Sequence, residues 1–565
     1  MTKHALSTFI VLAGLSAGPE FQAAAQGAET CKVVRPLDGQ RLLRRMTLDL
    51  RGVTPTYEEA RLQEGRADLP ESAVDAALAT DDFRGVMRKY HQAMLWPNVS
   101  QADLSPDPFK LFAYEFGPDD FVYFSFVRAV FSRTISGALY NPCKNEPARF
   151  DADGNIIADP YIVNGETVAW QEGYVMVEPY WAPGTQVKVC GYDAQPALSA
   201  PACSGAPERY PFLAPSCQAI GDYAAATRTP FTNQPLDCSG PFAIFAPGCG
   251  CGPNLRFCTT PETLATIQQS LLDQELGLID GVIRDDRPYT DVVLSKVAPV
   301  NGPLAHYLRY QSRLSTDLFG DPDAGLPLPP ELNYSSPPGQ WVNVTRGGRH
   351  AGVLTTPGYL LRFQSNRSRA HRFYNAFECS SFIPAGSLPS PFEPCSKHED
   401  LTKRCGCDAC HLQLEPMASH WGRFSEYGFA PIDDRTYPQF VGAGCTAPFE
   451  SVERLFRCSR FYKIEAVGEE IPFQYNLNAY VFRTPAEVAN IEAGPAHLAE
   501  QAIASGSFAT CTARKLWTHL MRRSPSADEE ATVIPGLAQD FKDNGYRLKR
   551  LVKRIVLNPA YGRAQ

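Results

Sequence analysis

The feature that most restricts the fold of this chain is its set of 17 cysteines, spread unevenly over 565 residues. Eight of them lie between Cys143 and Cys258, in a stretch that is also dense in proline, glycine and aspartate. So many thiols are unusual in a reducing cytosol and are typical of disulfide-bonded proteins of an oxidising compartment. We expect this stretch to form a disulfide-tied lobe of loops and short strands, because it cannot bury enough apolar area unaided.

The first 25 residues have the three-part pattern of a secretory signal peptide. Lys3 and His4 form a short polar start, residues 5–15 are mainly apolar, and small residues follow at 23–25. Cleavage near Ala25 would deliver the mature chain to the periplasm or the exterior; a buried N-terminal helix is the alternative. No later stretch approaches about 20 uninterrupted apolar residues, so we expect no membrane span in the mature chain.

Charge and composition exclude several classes of protein. The formal net charge is −8, so the chain has no bulk attraction to nucleic acid or anionic lipid, and no nucleic-acid partner is expected. Hydrophobic residues make up 44% and charged residues 20%, which is ordinary for a globular protein and excludes a disordered or collagen-like chain. At about 100–200 residues per domain, the chain contains several domains.

Apolar residues at helical spacing predict a mainly α fold. Leu42 to Leu50 form one such pattern, which Gly52 ends, and Thr56 with Glu59 has the spacing of a capping box at the next helix.

Further elements follow along the chain. Helices are expected over residues 83–95 and near 121–131, after the N-cap Thr260-Pro261, and in the last 60 or so residues. Short strands are expected at residues 167–170 and 187–190.

The motif that carries chemistry is Cys407-Asp408-Ala409-Cys410-His411, the C-x-x-C-H signature of c-type haem attachment. Thiols three residues apart can add to the two vinyl groups of one porphyrin, and the adjacent histidine offers an imidazole to the iron. Chance gives this pattern in about one in a hundred chains of such composition. We predict one haem c, held by Cys407 and Cys410, with His411 as the proximal iron ligand.

Two other interpretations of these residues stay open. The cysteines could form disulfides, with each other or with distant partners, and His411 would then be incidental. Structural zinc could instead use Cys405, Cys407, Cys410 and His411, although the usual second pair of cysteines 15–20 residues away is absent.

Four assignments are open for the sixth coordination position of the iron. Met417 is six residues beyond His411 and would need a sharp chain reversal at Pro416 to reach the opposite haem face. His420 and His350 are the candidate histidines. A vacant sixth position is the fourth case, and it would permit catalysis at the iron.

Three stretches resemble the secreted planctomycete-type cytochrome c-like proteins. The run RLLRRMTLDLRGVTPTYEE at 41–59 resembles their N-terminal domain. RHAGVLTT at 349–356, with Asn366, Cys379 and the haem motif, resembles their haem domain, although LEPMA at 414–418 stands where Ile-Asp-Pro-Leu-Gly is common. Residues 508–530 and 545–561 resemble their C-terminal helical domain. The resemblance covers about half the chain. It implies a haem and an exported location but no reaction, because the group is largely of unknown function.

These patterns predict a mainly α, multi-domain helical fold with an inserted Cys-rich irregular and β lobe and a c-type haem motif domain. The expected segments are a signal peptide (1–25), an N-terminal helical domain (26–138), the Cys-rich lobe (139–255), a helical domain (256–345), the haem motif domain (346–440) and a C-terminal helical domain (441–565).

The sequence therefore favours an exported, single-haem electron-transfer protein that works with an unidentified redox partner protein. One haem in so long a chain leaves room for a substrate site. The first alternative is a haem-dependent oxidoreductase, a substrate dehydrogenase or peroxidase-like enzyme with an open iron site. The second is a disulfide-rich scaffold or interaction protein without redox chemistry.

Overall fold

The computed structural model describes residues 36–125, 143–152, 156–195, 199–200, 236–239, 243, 249–315, 326–380, 390, 392–398, 400–426, 428–432 and 483–563. This part of the chain is mainly helical, carries several small sheets and contains disulfides. The signal peptide predicted at residues 1–25 lies outside the described residues. Among the helices of these ranges, none has the length and apolar character needed to cross a bilayer.

Four helices begin the described chain: α1 (Gly39–Arg51), α2 (Tyr57–Leu62), α3 (Glu71–Leu78) and α4 (Asp81–Leu95). α1 ends at Gly52, whose φ of 72° lies in the left-handed region that glycine adopts without strain. Thr56 and Glu59 form the reciprocal capping box that starts α2. The helices predicted here, including the one over residues 83–95, are confirmed.

The helix predicted near residues 121–131 is wrong over its described part. There the chain forms β2 (Asp120–Ser125), which pairs antiparallel with β1 (Leu111–Gly117). Val122 and Phe124 are buried while Tyr123 between them is half-buried, which is the two-residue period of a strand. Aromatic and β-branched residues favour such a half-buried pleated surface, and a short apolar run does not by itself separate a strand from a helix.

The Cys-rich lobe contains eight further short strands in its described ranges: β3 (Arg149–Phe150), β4 (Ile156–Ile157), β5 (Asp159–Val163), β6 (Glu166–Gln171), β7 (Tyr174–Val177), β8 (Val187–Cys190), β9 (Ser199–Ala200) and β10 (Leu236–Asp237). β8 lies between β2, to which it is parallel, and β7, to which it is antiparallel. The others pair as the two-stranded ladders β3–β4, β5–β6 and β9–β10. The strands predicted at residues 167–170 and 187–190 are confirmed.

Three disulfides tie this lobe together: Cys143–Cys190, Cys238–Cys249 and Cys251–Cys258. The last two pairs are themselves part of a small apolar core, together with Phe109, Leu111 and Phe257. Sulfur bridges thus fill the interior where large aliphatic side chains are scarce. The predicted disulfide-tied lobe is confirmed for its described part.

Helices dominate the rest of the chain: α5 (Pro261–Arg284), α6 (Asp291–Leu294), α7 (Gly302–His306), α8 (Ser312–Ser315), α9 (Pro357–Arg362), α10 (Asn366–Phe373), α11 (Asp408–Ala418), α12 (Pro485–Ser505), α13 (Ser507–Met521), α14 (Ile534–Asp543) and α15 (Leu548–Val556). Strands β11 (Val297–Val300) and β12 (Val342–Thr345) pair antiparallel. Thr260 caps α5 and Pro261 occupies its first turn, as the sequence predicts.

One large hydrophobic core joins the helical segments. Leu50, Ile279, Tyr359, Trp421 and Trp517 all belong to it, each at most 1% exposed. The segment around α11 therefore packs with the central helix α5 and with the C-terminal helices around shared side chains. The domain boundaries expected at 138, 255, 345 and 440 stay predictions, since a shared core does not define them.

Candidate functional site

The C-x-x-C-H pentapeptide lies at the start of α11. Cys407 is the N-cap residue, and its carbonyl oxygen accepts hydrogen bonds from the backbone N–H groups of Cys410 (3.2 Å) and His411 (3.0 Å). The pentapeptide is therefore one helical turn. Residues three and four apart on a helix share a face, so both thiols and the imidazole are presented on one side of α11. Cys407, Cys410 and His411 are all half-buried.

The described cysteines divide into two groups. Ten of them form five disulfides; those outside the Cys-rich lobe are Cys379–Cys511 and Cys395–Cys405. Cys407 and Cys410 are the two that take part in no disulfide. In a chain where the other described cysteines are paired, the two cysteines of the motif keep their thiols.

The bridge between Cys395 and Cys405 also affects the zinc interpretation. That interpretation needs the thiolate of Cys405, which is committed to the disulfide. Glu393 lies close to the same two sulfur atoms, but a disulfide does not provide the thiolate ligands of a metal site. This geometry disfavours a four-ligand zinc site at the start of α11.

His411 is oriented by a buried carboxylate. Its Nδ1 lies 2.7 Å from Oε1 of Glu415, one turn further along α11. The Glu415 side chain is 2% exposed and is also bound by Arg367 Nε of α10 (2.7 Å) and by Arg483 Nη1 (3.1 Å), just before α12. Three elements therefore meet at one carboxylate, and Nε2 of His411 makes no hydrogen bond among the described residues.

The protonation state of Glu415 follows from its burial and its charged partners. Burial alone would raise the pKa of Glu415, but the hydrogen bond from His411 and the positive charges of Arg367 and Arg483 lower it to about 2. Glu415 is thus an anion at neutral pH.

The Cys407 thiol is neutral at neutral pH. Burial raises its pKa, although the positive charge of Arg404 acts in the opposite direction.

Met417 lies further along α11, and His420 lies in the helical turn that follows it. α11 continues through Pro416 to Ala418, and a short helical turn, Ser419–Trp421, follows it directly. At 1.5–2 Å per residue, Met417 and His420 are about 9 and about 14 Å beyond His411 along the axis. The chain reversal that a Met417 ligand requires does not occur at Pro416. This geometry disfavours both residues as the ligand opposite His411 on one iron.

His420 and His350 are buried elsewhere in the fold. The Nδ1 atom of His420 is hydrogen-bonded to the carbonyl oxygen of Met417 (3.1 Å), and its ring lies 5.9 Å from that of His497 on α12. His350 Nδ1 is hydrogen-bonded to Thr355 Oγ1 (3.3 Å). Burial lowers the pKa of both imidazoles, to about 4 and about 3, and neither Nε2 has a hydrogen-bond partner in the described ranges. No hydrogen bond or ring contact joins either side chain to His411.

The residues at the start of α11 fit a c-type haem by their chemistry. Two thiols and one imidazole with a free Nε2 are the donors that the group needs. Leu412, beside His411, is 60% exposed, so apolar surface is available next to the motif. Arg367 Nη2 and Arg483 Nε are buried without a hydrogen-bond partner among the described residues, and each could serve a propionate.

Sequence reasoning did not find Glu415, Arg367 or Arg483. One signal was present, because a carboxylate four residues after a histidine faces it on a helix. The two arginines are 48 and 68 residues from Glu415 and are brought to it only by the tertiary fold.

Comparison with known proteins identifies no relative of this chain: no protein-family model matches it, and no curated protein or solved structure is significantly similar to it.

Proposed function

We propose that the chain is an exported, single-haem c-type cytochrome that transfers electrons. Cys407 and Cys410 would hold the haem by thioether bonds, and His411 would bind the iron. When bound there, the haem would supply one-electron chemistry, and the electrons would come from a donor protein and pass to an acceptor protein. The likeness to planctomycete-type cytochrome c-like proteins belongs to the same proposal.

One observation carries it: the two motif cysteines keep their thiols on one helical turn with an oriented histidine, while the other described cysteines are in disulfides. The disulfides fit an oxidising compartment, which is where bacteria attach c-type haem. Export to the periplasm or beyond is therefore part of the proposal. A non-redox scaffold would require neither the thiol pair nor the imidazole orientation.

The test is to produce the chain in a host that exports it and matures c-type cytochromes. We expect an adduct of about 616 Da on the peptide that contains Cys407 and Cys410, and a reduced α-band near ~550 nm. Cys407→Ala with Cys410→Ala abolishes both signals, because no thiol remains for the vinyl groups.

The matched control replaces another nearby pair of cysteines. Cys395→Ala with Cys405→Ala removes a disulfide that ends two residues before the motif and leaves both motif thiols in place. We expect that variant to retain the adduct. An unmodified wild-type peptide, or a haem that stays attached when Cys407 and Cys410 are replaced, refutes the proposal.

A second candidate function, a haem-dependent oxidoreductase, is favoured by one feature. Because α11 continues through Pro416, Met417 and His420 lie too far along the chain axis from His411 to bind the same iron, which would leave His350 or an open position. An open position admits external ligands. A high-spin ferric spectrum that shifts with cyanide supports the oxidoreductase, and a low-spin spectrum that cyanide does not change supports electron transfer alone.

A further inference from the structure

We propose that Glu415 is a positioning residue for the iron ligand: its carboxylate keeps the proton of His411 on Nδ1, leaves Nε2 for the metal and lowers the reduction potential of the haem. The inference rests on the proposed function and specifies how that site is tuned.

The first step is the direction of the hydrogen bond between His411 and Glu415. An ionised carboxylate only accepts hydrogen bonds, so at 2.7 Å the proton between Nδ1 and Oε1 belongs to the imidazole. When the ring carries a single proton, its lone pair is then on Nε2. One helical turn between the two residues makes this contact local to α11, so it can form before any haem is bound.

The second step is the stability of the anion in a buried position. An isolated carboxylate would not stay ionised there, but Arg367 binds one oxygen of Glu415 and Arg483 binds the other. Both guanidinium groups are permanently charged, and they come from elements other than α11. The fold therefore provides a fixed anion directly behind the histidine.

The third step is the effect of the Glu415 carboxylate on the iron. A carboxylate that accepts the Nδ1 proton makes the imidazole a stronger donor. A stronger donor favours ferric over ferrous iron, so it lowers the potential. The two arginines act in the opposite sense, because they share the carboxylate and add positive charge. Glu415→Gln should therefore raise the reduction potential, and Arg367→Gln should lower it.

The experiment is a spectroelectrochemical titration of the haem in five forms of the full chain. Relative to wild type, we expect an upward shift in Glu415→Gln, a downward shift in Arg367→Gln, and a smaller upward shift in Glu415→Asp, which keeps the charge but shortens the side chain by one methylene. Glu492→Gln is the control: this carboxylate on α12 also pairs with two arginines, Arg349 and Arg423, but has no hydrogen bond to a histidine within the described part of the chain. We expect no shift there.

A measurement without haem covers the case in which Glu415→Gln does not fold. In the Cys407→Ala, Cys410→Ala protein, nitrogen chemical shifts report the tautomer of His411. We expect the Nδ1–H tautomer, and a mixture when Glu415→Ala is added. An Nε2–H tautomer with Glu415 present overturns the inference, as does a haem-loaded Glu415→Gln protein with an unmoved potential. Absence of haem from the wild type would instead refute the proposed function.

Discussion

Glu275, in the middle of α5, is a fully buried acid whose two carboxyl oxygens have no hydrogen-bond partner in the described chain. Burial raises its pKa to about 8, although the charge of Arg372 acts in the opposite direction. The backbone of Gly358 on α9 packs closely against it, at a place where even a methyl group would touch Oε2. At neutral pH the side chain is therefore a buried neutral acid.

This residue predicts a loss of stability as the pH rises. The pKa in the folded state, about 8, is above the ordinary value of 4.5. The folded chain therefore holds a proton that the unfolded chain has lost, and stability falls between pH 4.5 and pH 8, by at most roughly 1.4 kcal/mol per pH unit. Glu275→Gln should remove that slope. Urea unfolding of both proteins at pH 5, 6, 7 and 8 measures it, and parallel pH profiles would contradict the assignment.

Single residues differ in how far the sequence reveals them. Local spacing alone makes Cys407, Cys410 and His411 the candidate haem-binding residues, and the structure places them on one helical turn. Glu415 could have been predicted from the same kind of local spacing, because it lies four residues after His411 on the helix. Its partners Arg367 and Arg483 were not, because their ion pairs depend on how α10 and the start of α12 pack against α11. Sequence reasoning therefore proposes the candidate ligands but does not find the side chains that hold His411 in place.

At the scale of elements, boundaries set by local chemistry were predictable. Gly52, the capping box at Thr56 and the proline start of α5 are all local signals, and the structure confirms them. β2 was missed because pairing with β1 and β8, rather than local preference, makes it a strand. The course of α11 through Pro416 likewise depends on packing around the helix, and under the proposed function it limits which residues could serve as a sixth ligand.

The turn before α9 depends on a glycine that has no room for a side chain. Gly352 has a φ of 45°, and a Cβ there would lie 2.0 Å from the carbonyl oxygen of Val292 on α6. Gly352→Ala should therefore lower the free energy of unfolding by at least about 2 kcal/mol. Gly281→Ala is the matched control, since that helical position is open, and it should raise stability by about 0.5–1 kcal/mol. Chemical denaturation of both variants checks the pair; equal effects would contradict this account.

At the scale of the whole molecule, the disulfide Cys379–Cys511 connects distant parts of the chain. It spans 132 residues and joins the segment after α10, through the turn Tyr374–Glu378, to the first half of α13. Cys395–Cys405 spans only 10 residues. The sequence could indicate that the cysteines pair but not which ones, because connectivity follows from the tertiary fold.

These two bridges should differ in their contribution to stability. In the chain-entropy view a crosslink restricts the unfolded chain more when it closes a longer loop, which gives about 5 kcal/mol for Cys379–Cys511 and about 3 kcal/mol for Cys395–Cys405. We expect Cys379→Ala with Cys511→Ala to lower the free energy of unfolding more than Cys395→Ala with Cys405→Ala. Urea unfolding under non-reducing conditions measures both. Neither pair contributes to the haem motif, so the c-type adduct should persist in both variants. An equal loss of stability in the two variants would mean that loop length does not govern the contribution of these crosslinks.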